Sequence, residues 1–224
     1  MTNTHLLRQT IAALMAVVSL CLLNGCLHLE QKLQFLRDGS VIATYHYAVP
    51  AAMLPALTAA QDALEQQLPT PAQDDAASAQ PMNWFLNETA VRNFFQRPGV
   101  ELRQYRQTES DGQHHVHIVI LARDGARAVN TGLFGTMTVK KQEDDRTAFT
   151  VEPPGYNQAW TKEQVERMRK LCPDLKLTLT VVAPTDIVTS NGVQTDAHTV
   201  TWTFADDGVA HNPFAIIPTL KATW

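Results

Sequence analysis

The chain has 224 residues, 45% of them hydrophobic and 18% charged, with a formal charge of −4 at pH 7. That length suits one domain, or one domain with an insertion, and can bury a core without disulfide staples. A mildly acidic chain with no basic patch is a poor match to nucleic acid, where binding depends on neutralising phosphates, and the ordinary apolar content excludes a disordered chain.

Residues 1–10 carry His5 and Arg8 and no acid, and residues 11–23 are an uncharged apolar run. The run matches the apolar region of an export signal and falls short of the roughly 20 residues of a spanning helix. Asn24 and Gly25 precede Cys26, and polar sequence starts at His28. The string Leu23-Asn24-Gly25-Cys26 is similar to a lipobox, in which a small residue fits the signal peptidase and the cysteine thiol accepts a diacylglyceryl group. An added acyl chain on the new amine supplies the several chains that stable anchoring requires. The expectation is therefore a signal peptide over 1–25 and an exported domain over 26–224, held on a membrane by fatty acyl (palmitate-type) chains on Cys26. A cleaved signal leaving a soluble protein and an uncleaved apolar anchor are the competing readings. Leu27 stands where an aspartate would favour inner-membrane retention, which points to the outer membrane in a two-membrane host. With Cys21 in the signal and Cys26 lipidated, Cys172 has no partner and reads as a small buried apolar residue rather than a nucleophile.

In the exported part, residues 27–36 alternate, with Leu27, Leu29, Leu33 and Phe35 on one face. Asp38-Gly39 is a hairpin dipeptide, and residues 41–49 return as a second strand with Val41, Ala43, Tyr45, Tyr47 and Val49 on one face. Residues 51–97 read as a helical segment. It comprises a helix over 51–68 with Met53, Leu57 and Leu64 at helical spacing, a flexible connector over 69–81, and a second helix over 82–96 bearing Trp84, Phe85, Phe94 and Phe95. Strands follow at 100–107, 114–122, 136–141 and 147–151, with a loop or short helix over 124–135. Thr161-Lys162-Glu163-Gln164 matches a capping box and predicts a short helix before the last strands, 175–182 and 199–204. The tail, 214–224, is apolar but interrupted by Pro218 and Lys221. The pattern predicts an α+β fold: a mainly antiparallel sheet, a helical segment inserted after the first hairpin, and helices covering the apolar face.

Several of these strings stand in a particular order. Gly25-Cys26 leads into a strand, then Asp38-Gly39-Ser40, then a strand ending at Val49-Pro50. Later come Leu-Thr-Leu-Thr-Val-Val-Ala-Pro (177–184), Ser190-Asn191-Gly192 and Thr199-Val200-Thr201-Trp202. This arrangement resembles the LppM-type bacterial lipoproteins. The resemblance implies an α+β domain with an elongated apolar cavity that holds lipid or lipid-like envelope molecules, and it brings no catalytic residues. The chain departs from that pattern in its long helical segment and in lacking a C-terminal membrane segment or basic tail.

Tyr45, Tyr47, Leu57, Leu64, Trp84, Phe94 and Trp202 are the candidate lining of such a pocket, although the same pattern describes a filled core. In His114-His115-Val116-His117, strand alternation places His115 and His117 on one face, where His46 could join them as metal ligands. The competing reading is a solvated strand face, and no metal or other cofactor is expected. The pairs Asp74-Asp75, Asp144-Asp145 and Asp206-Asp207 lack the spacing of a calcium loop. No nucleophile elbow, zinc-protease helix, phosphate loop or Cys-x-x-Cys is present. The chain is therefore expected to be a non-enzymatic lipoprotein binding a lipid or other apolar envelope ligand; the alternative is a structural or assembly lipoprotein contacting an envelope protein.

Overall fold

The structure, a computed structural model, describes residues 27–55, 84–152, 166, 174–205 and 218–224. The signal at 1–25, Cys26, Leu57, Leu64, the connector, the capping-box helix and Cys172 lie outside the described residues.

The first hairpin pairs β1 (His28–Phe35) with β2 (Val41–Pro50) through a tight turn. Gly39 takes φ +83°, and Asp38 Oδ1 accepts from the Ser40 N–H at 3.0 Å and its hydroxyl at 2.6 Å. Those two bonds hold the Asp38 carboxyl below the usual carboxylate range. A 3-10 turn, Ala51–Met53, follows. The expected helix over 82–96 divides in two. Trp84–Leu86 is a 3-10 turn, and α1 (Glu88–Phe95) starts afresh because the Asn87 side chain caps it, accepting from the Ala90 N–H at 3.1 Å. Next come β3 (Val100–Ser110) and β4 (Gln113–Ala122), joined by Asp111 and Gly112, both at positive φ as a two-residue hairpin turn demands.

After α2 (Gly125–Asn130) come β5 (Met137–Lys141) and β6 (Thr147–Val151), then β7 (Lys176–Val182). Two short strands, β8 (Thr189–Ser190) and β9 (Val193–Gln194), lead to β10 (Thr199–Ala205). The chain closes with β11 (Leu220–Thr223), inside what reads in the sequence as an irregular tail.

The strands form two sheets. The larger runs β3-β4-β2-β1-β7-β10-β9, and the smaller β5-β6-β11-β8. Neighbours are antiparallel except β1 and β7, which pair in parallel at the middle of the larger sheet, Leu29 opposite Leu177 and Leu33 opposite Val181. The α+β character and the predominance of antiparallel pairing agree with the sequence; among the described residues a second sheet shares the apolar face, which the sequence reads as covered by helices. α2 packs beside β5 of the smaller sheet, while α1 packs against β3 of the larger and, through Phe95, against Tyr45. Leu220, Ala222 and Trp224 face inward while Lys221 is exposed, an alternation too short to announce a strand. Between the sheets, Phe35 lies 5.1 Å from Trp224 and 6.1 Å from Phe149, ring centre to ring centre. Phe149 in turn lies 6.3 Å from Trp202. This aromatic cluster fills the sandwich at the Phe35 end of β1.

Candidate functional site

Toward the Leu29 end of β1 the described residues leave space in the same layer. A pocket of about 310 Å³ lies between the sheets, lined by Leu29, Glu30, Gln31, Tyr45, Tyr47, Leu177, Thr178, Leu179 and Phe204 from the larger sheet and Met137, Val151 and Leu220 from the smaller. Strand alternation explains the larger sheet's share. Leu29 pairs with Tyr47 and Leu177, and Leu177 pairs with Phe204, so one row of cross-strand neighbours presents four apolar side chains to the same side.

Gln31 is the polar interruption in that wall, at the place where β1 breaks its apolar alternation. Its Nε2 donates to the Phe134 carbonyl at 2.9 Å and to the Tyr45 hydroxyl at 3.1 Å, so the amide is tied down beside the pocket. Burial pushes the Tyr45 phenol well above its ordinary value; neighbouring Tyr47 adds to this and the Gln31 bond opposes it. Burial likewise pushes Tyr47 up. Both stay neutral, and their rings stack at 6.2 Å with 9° between planes. Tyr47 also stacks on Phe85 at 4.2 Å and 7°, which fixes the ring that forms part of the wall.

The structure distributes the other candidate residues. Trp84 and Phe94 are half-buried in an aromatic cluster with Phe95, 5.3 Å apart, with the Arg97 guanidinium 5.2 Å above the Phe94 ring. That cluster backs Tyr45 through Phe95, at 6.4 Å, and does not line the pocket. Trp202 is 2% exposed, and its indole is engaged by Asn191 in the filled part of the layer. Alternation in the sequence assigns Leu29, Leu177 and Phe204 to strand faces without placing them at a pocket, and Met137, Val151 and Leu220 are not among the candidate lining residues. Their alternation was the available signal, but it does not say whether the space opposite is occupied.

The outer face of the larger sheet is polar and forms an open groove of about 810 Å³. Register aligns Arg106, His117, His46, Glu30 and Thr178 as one row across five strands. His46 Nε2 lies 3.2 Å from His115 Nδ1, with ring centres 5.4 Å apart and planes at 12°. The rings thus meet end to end, as an N–H···N hydrogen bond requires. His46 Nδ1 faces Glu30 Oε2 at 3.5 Å. Burial, then His46, then Arg106 hold His117 below the usual histidine value. Burial first and Lys176 second do the same for His28, against the pull of Glu30 and Asp174. His114 points elsewhere, 3.4 Å from Glu109. Among the described residues, no three His, Cys, Asp or Glu side chains are arranged to share one metal ion. Asp144 and Asp145 sit in the β5–β6 turn, where Asp144 pairs with Arg146 at 3.0 Å; the other acidic pairs lie outside the described residues. No helix among the described residues is long and apolar enough to cross a membrane.

No family model matches the chain, and no curated protein matches it in sequence. Among solved structures, the chain is similar to the NMR structure of the folded domain of Mycobacterium tuberculosis LppM, over 88% of each chain, at 10% identity and a TM-score of 0.43.

Proposed function

We propose that the chain is a lipoprotein anchored through Cys26, facing the periplasm or cell surface, that holds an apolar ligand between its two sheets without catalysis. The ligand is an acyl chain of an envelope lipid. The observation that carries this reading is the mainly apolar pocket of about 310 Å³, in whose wall Gln31 is bonded to Tyr45 and the Phe134 carbonyl. Ligand pockets run from about 300 to 1,000 Å³, so this one suits a single chain or part of a lipid rather than a whole multi-chain molecule. Burial gains about 0.8 kcal/mol per methylene, and roughly ten methylenes reach micromolar-scale affinity before ordering costs are subtracted.

Native mass spectrometry of the mature protein released from cells in mild detergent tests the reading. A lipid should co-purify with the unaltered chain and be lost from Leu177→Trp, whose indole fills the pocket. Repeated absence of lipid from the unaltered protein, or equal lipid on both, overturns it.

A further inference from the structure

We infer that the pocket exchanges its ligand directly with the bilayer that holds Cys26, because no slack chain separates the anchor from the pocket rim. This rests on the lipid-binding reading above and adds where the lipid comes from. Leu27, the residue after the anchor, is already part of the fold. The Lys176 N–H donates to its carbonyl at 2.9 Å, and its side chain packs against the core. β1 starts at the next residue, and Leu29 lines the pocket.

Distances then limit the arrangement. Three residues, from Cys26 to Leu29, span at most about 10 Å. A headgroup layer is about 6 Å thick on each side of the hydrocarbon. A lipidated Cys26 therefore holds Leu29 within reach of the boundary where acyl chains begin.

Register shows that the pocket belongs to this end of the sandwich. The row Tyr47, Leu29, Leu177 and Phe204 lies next to the start of β1. On the smaller sheet, Val151 pairs with both Met137 and Leu220 in the terminal row, where that sheet stops. The pocket thus occupies the anchor-side end of the layer, while the far end is closed by the Phe35–Trp224 cluster. An acyl chain can pass from membrane to pocket without crossing bulk water.

The test varies the tether alone. Full-length lipidated protein, unaltered or carrying a Gly/Ser spacer between Cys26 and Leu27, is reconstituted into vesicles of phosphatidylethanolamine and phosphatidylglycerol containing pyrene-acyl phosphatidylglycerol. Spacers of about five and about twenty residues are compared; the longer has a root-mean-square reach of about 25 Å, well beyond a headgroup layer. Withdrawal of labelled chains is read from the pyrene excimer-to-monomer ratio. Monomeric pyrene-labelled lysophospholipid, added from solution, reports on the pocket itself. The expected result is unchanged binding of the soluble probe, with bilayer loading slowed progressively and roughly tenfold at the longer spacer. A loading rate independent of spacer length overturns the inference and leaves lipid binding standing. Failure of the unaltered protein to take even the soluble probe overturns lipid binding and this inference with it.

Discussion

The indole N–H of Trp202 donates to Asn191 Oδ1 across 3.0 Å, and the same oxygen accepts the Lys221 N–H at 2.8 Å. Asn191 Nδ2 completes the junction by donating to the Thr219 carbonyl at 2.8 Å. One side chain in the β8–β9 turn thus joins β10 of the larger sheet to β11 of the smaller. Asn191→Ala removes all three bonds and leaves a buried indole N–H without its acceptor. A loss of about 2–4 kcal/mol is expected in urea unfolding followed by tryptophan fluorescence. Asn191→Asp keeps the acceptor and sets a carboxylate oxygen against the Thr219 carbonyl, so it should fall between the two. An alanine variant with an unchanged midpoint refutes the junction.

The neighbouring glycine is required for space rather than for backbone freedom. A Cβ on Gly192 would meet Val200 Cγ2 at 2.6 Å and the Trp202 ring at 2.7 Å, both on fully buried side chains. Gly39 is the converse case, with open space around it and φ +83°. Gly192→Ala should cost about 2–3 kcal/mol through overpacking. Gly39→Asn should cost under about 1 kcal/mol, since asparagine tolerates the left-handed region. Paired denaturation curves check this, and equal costs at the two sites contradict it.

Stability should weaken in mild acid. His117 and His28 are held below the ordinary histidine value near 6.5, so as pH falls the unfolded chain takes up protons before the folded one. Stability is therefore full above about 6.5 and declines as pH drops through that value toward the folded-state pKa. Chemical denaturation at a series of pH values between 7.5 and 5 measures the slope. His117→Asn, which removes one of the two groups, should flatten it; a slope unaltered by that change points to other residues.

Cys26→Ser is expected to abolish both lipid attachment and removal of residues 1–25. Intact-mass measurement and membrane fractionation check this. Normal processing with membrane retention in that variant removes the basis for the anchor.

Much of the larger sheet is legible in the sequence because its strands carry their own evidence. Residues 41–49 and 175–182 alternate over several pairs, and Asp38-Gly39 and Asp111-Gly112 declare their hairpins. The smaller sheet is less so: Leu220-Lys221-Ala222-Thr223 offers a single alternation just after Pro218, and its partners lie far away in sequence. The parallel pairing of β1 with β7 leaves no local trace at all. The pocket was half legible. Tyr45 and Tyr47 are candidates by face and ring size, and they line it. Trp202 is a candidate on the same grounds and is packed in the core, because the space opposite it holds Phe149. Whether an inward-facing residue meets a neighbour or a void depends on where the opposing sheet stops, and that is set by Met137, Val151 and Leu220, not by the residue itself.

The central position of β1 also governs the order in which the fold can be completed. β2 can zip to this strand at once through a short hairpin. The other edge of β1 waits for residues 176–182, far along the chain from it. Contacts of such high sequence separation carry a large loop-closure entropy and slow the folding of the domain. In the interval the edge of β1 offers unpaired backbone N–H and C=O groups to any other extended chain nearby. The nascent protein therefore has a long window in which it depends on a chaperone or on isolation from its own copies.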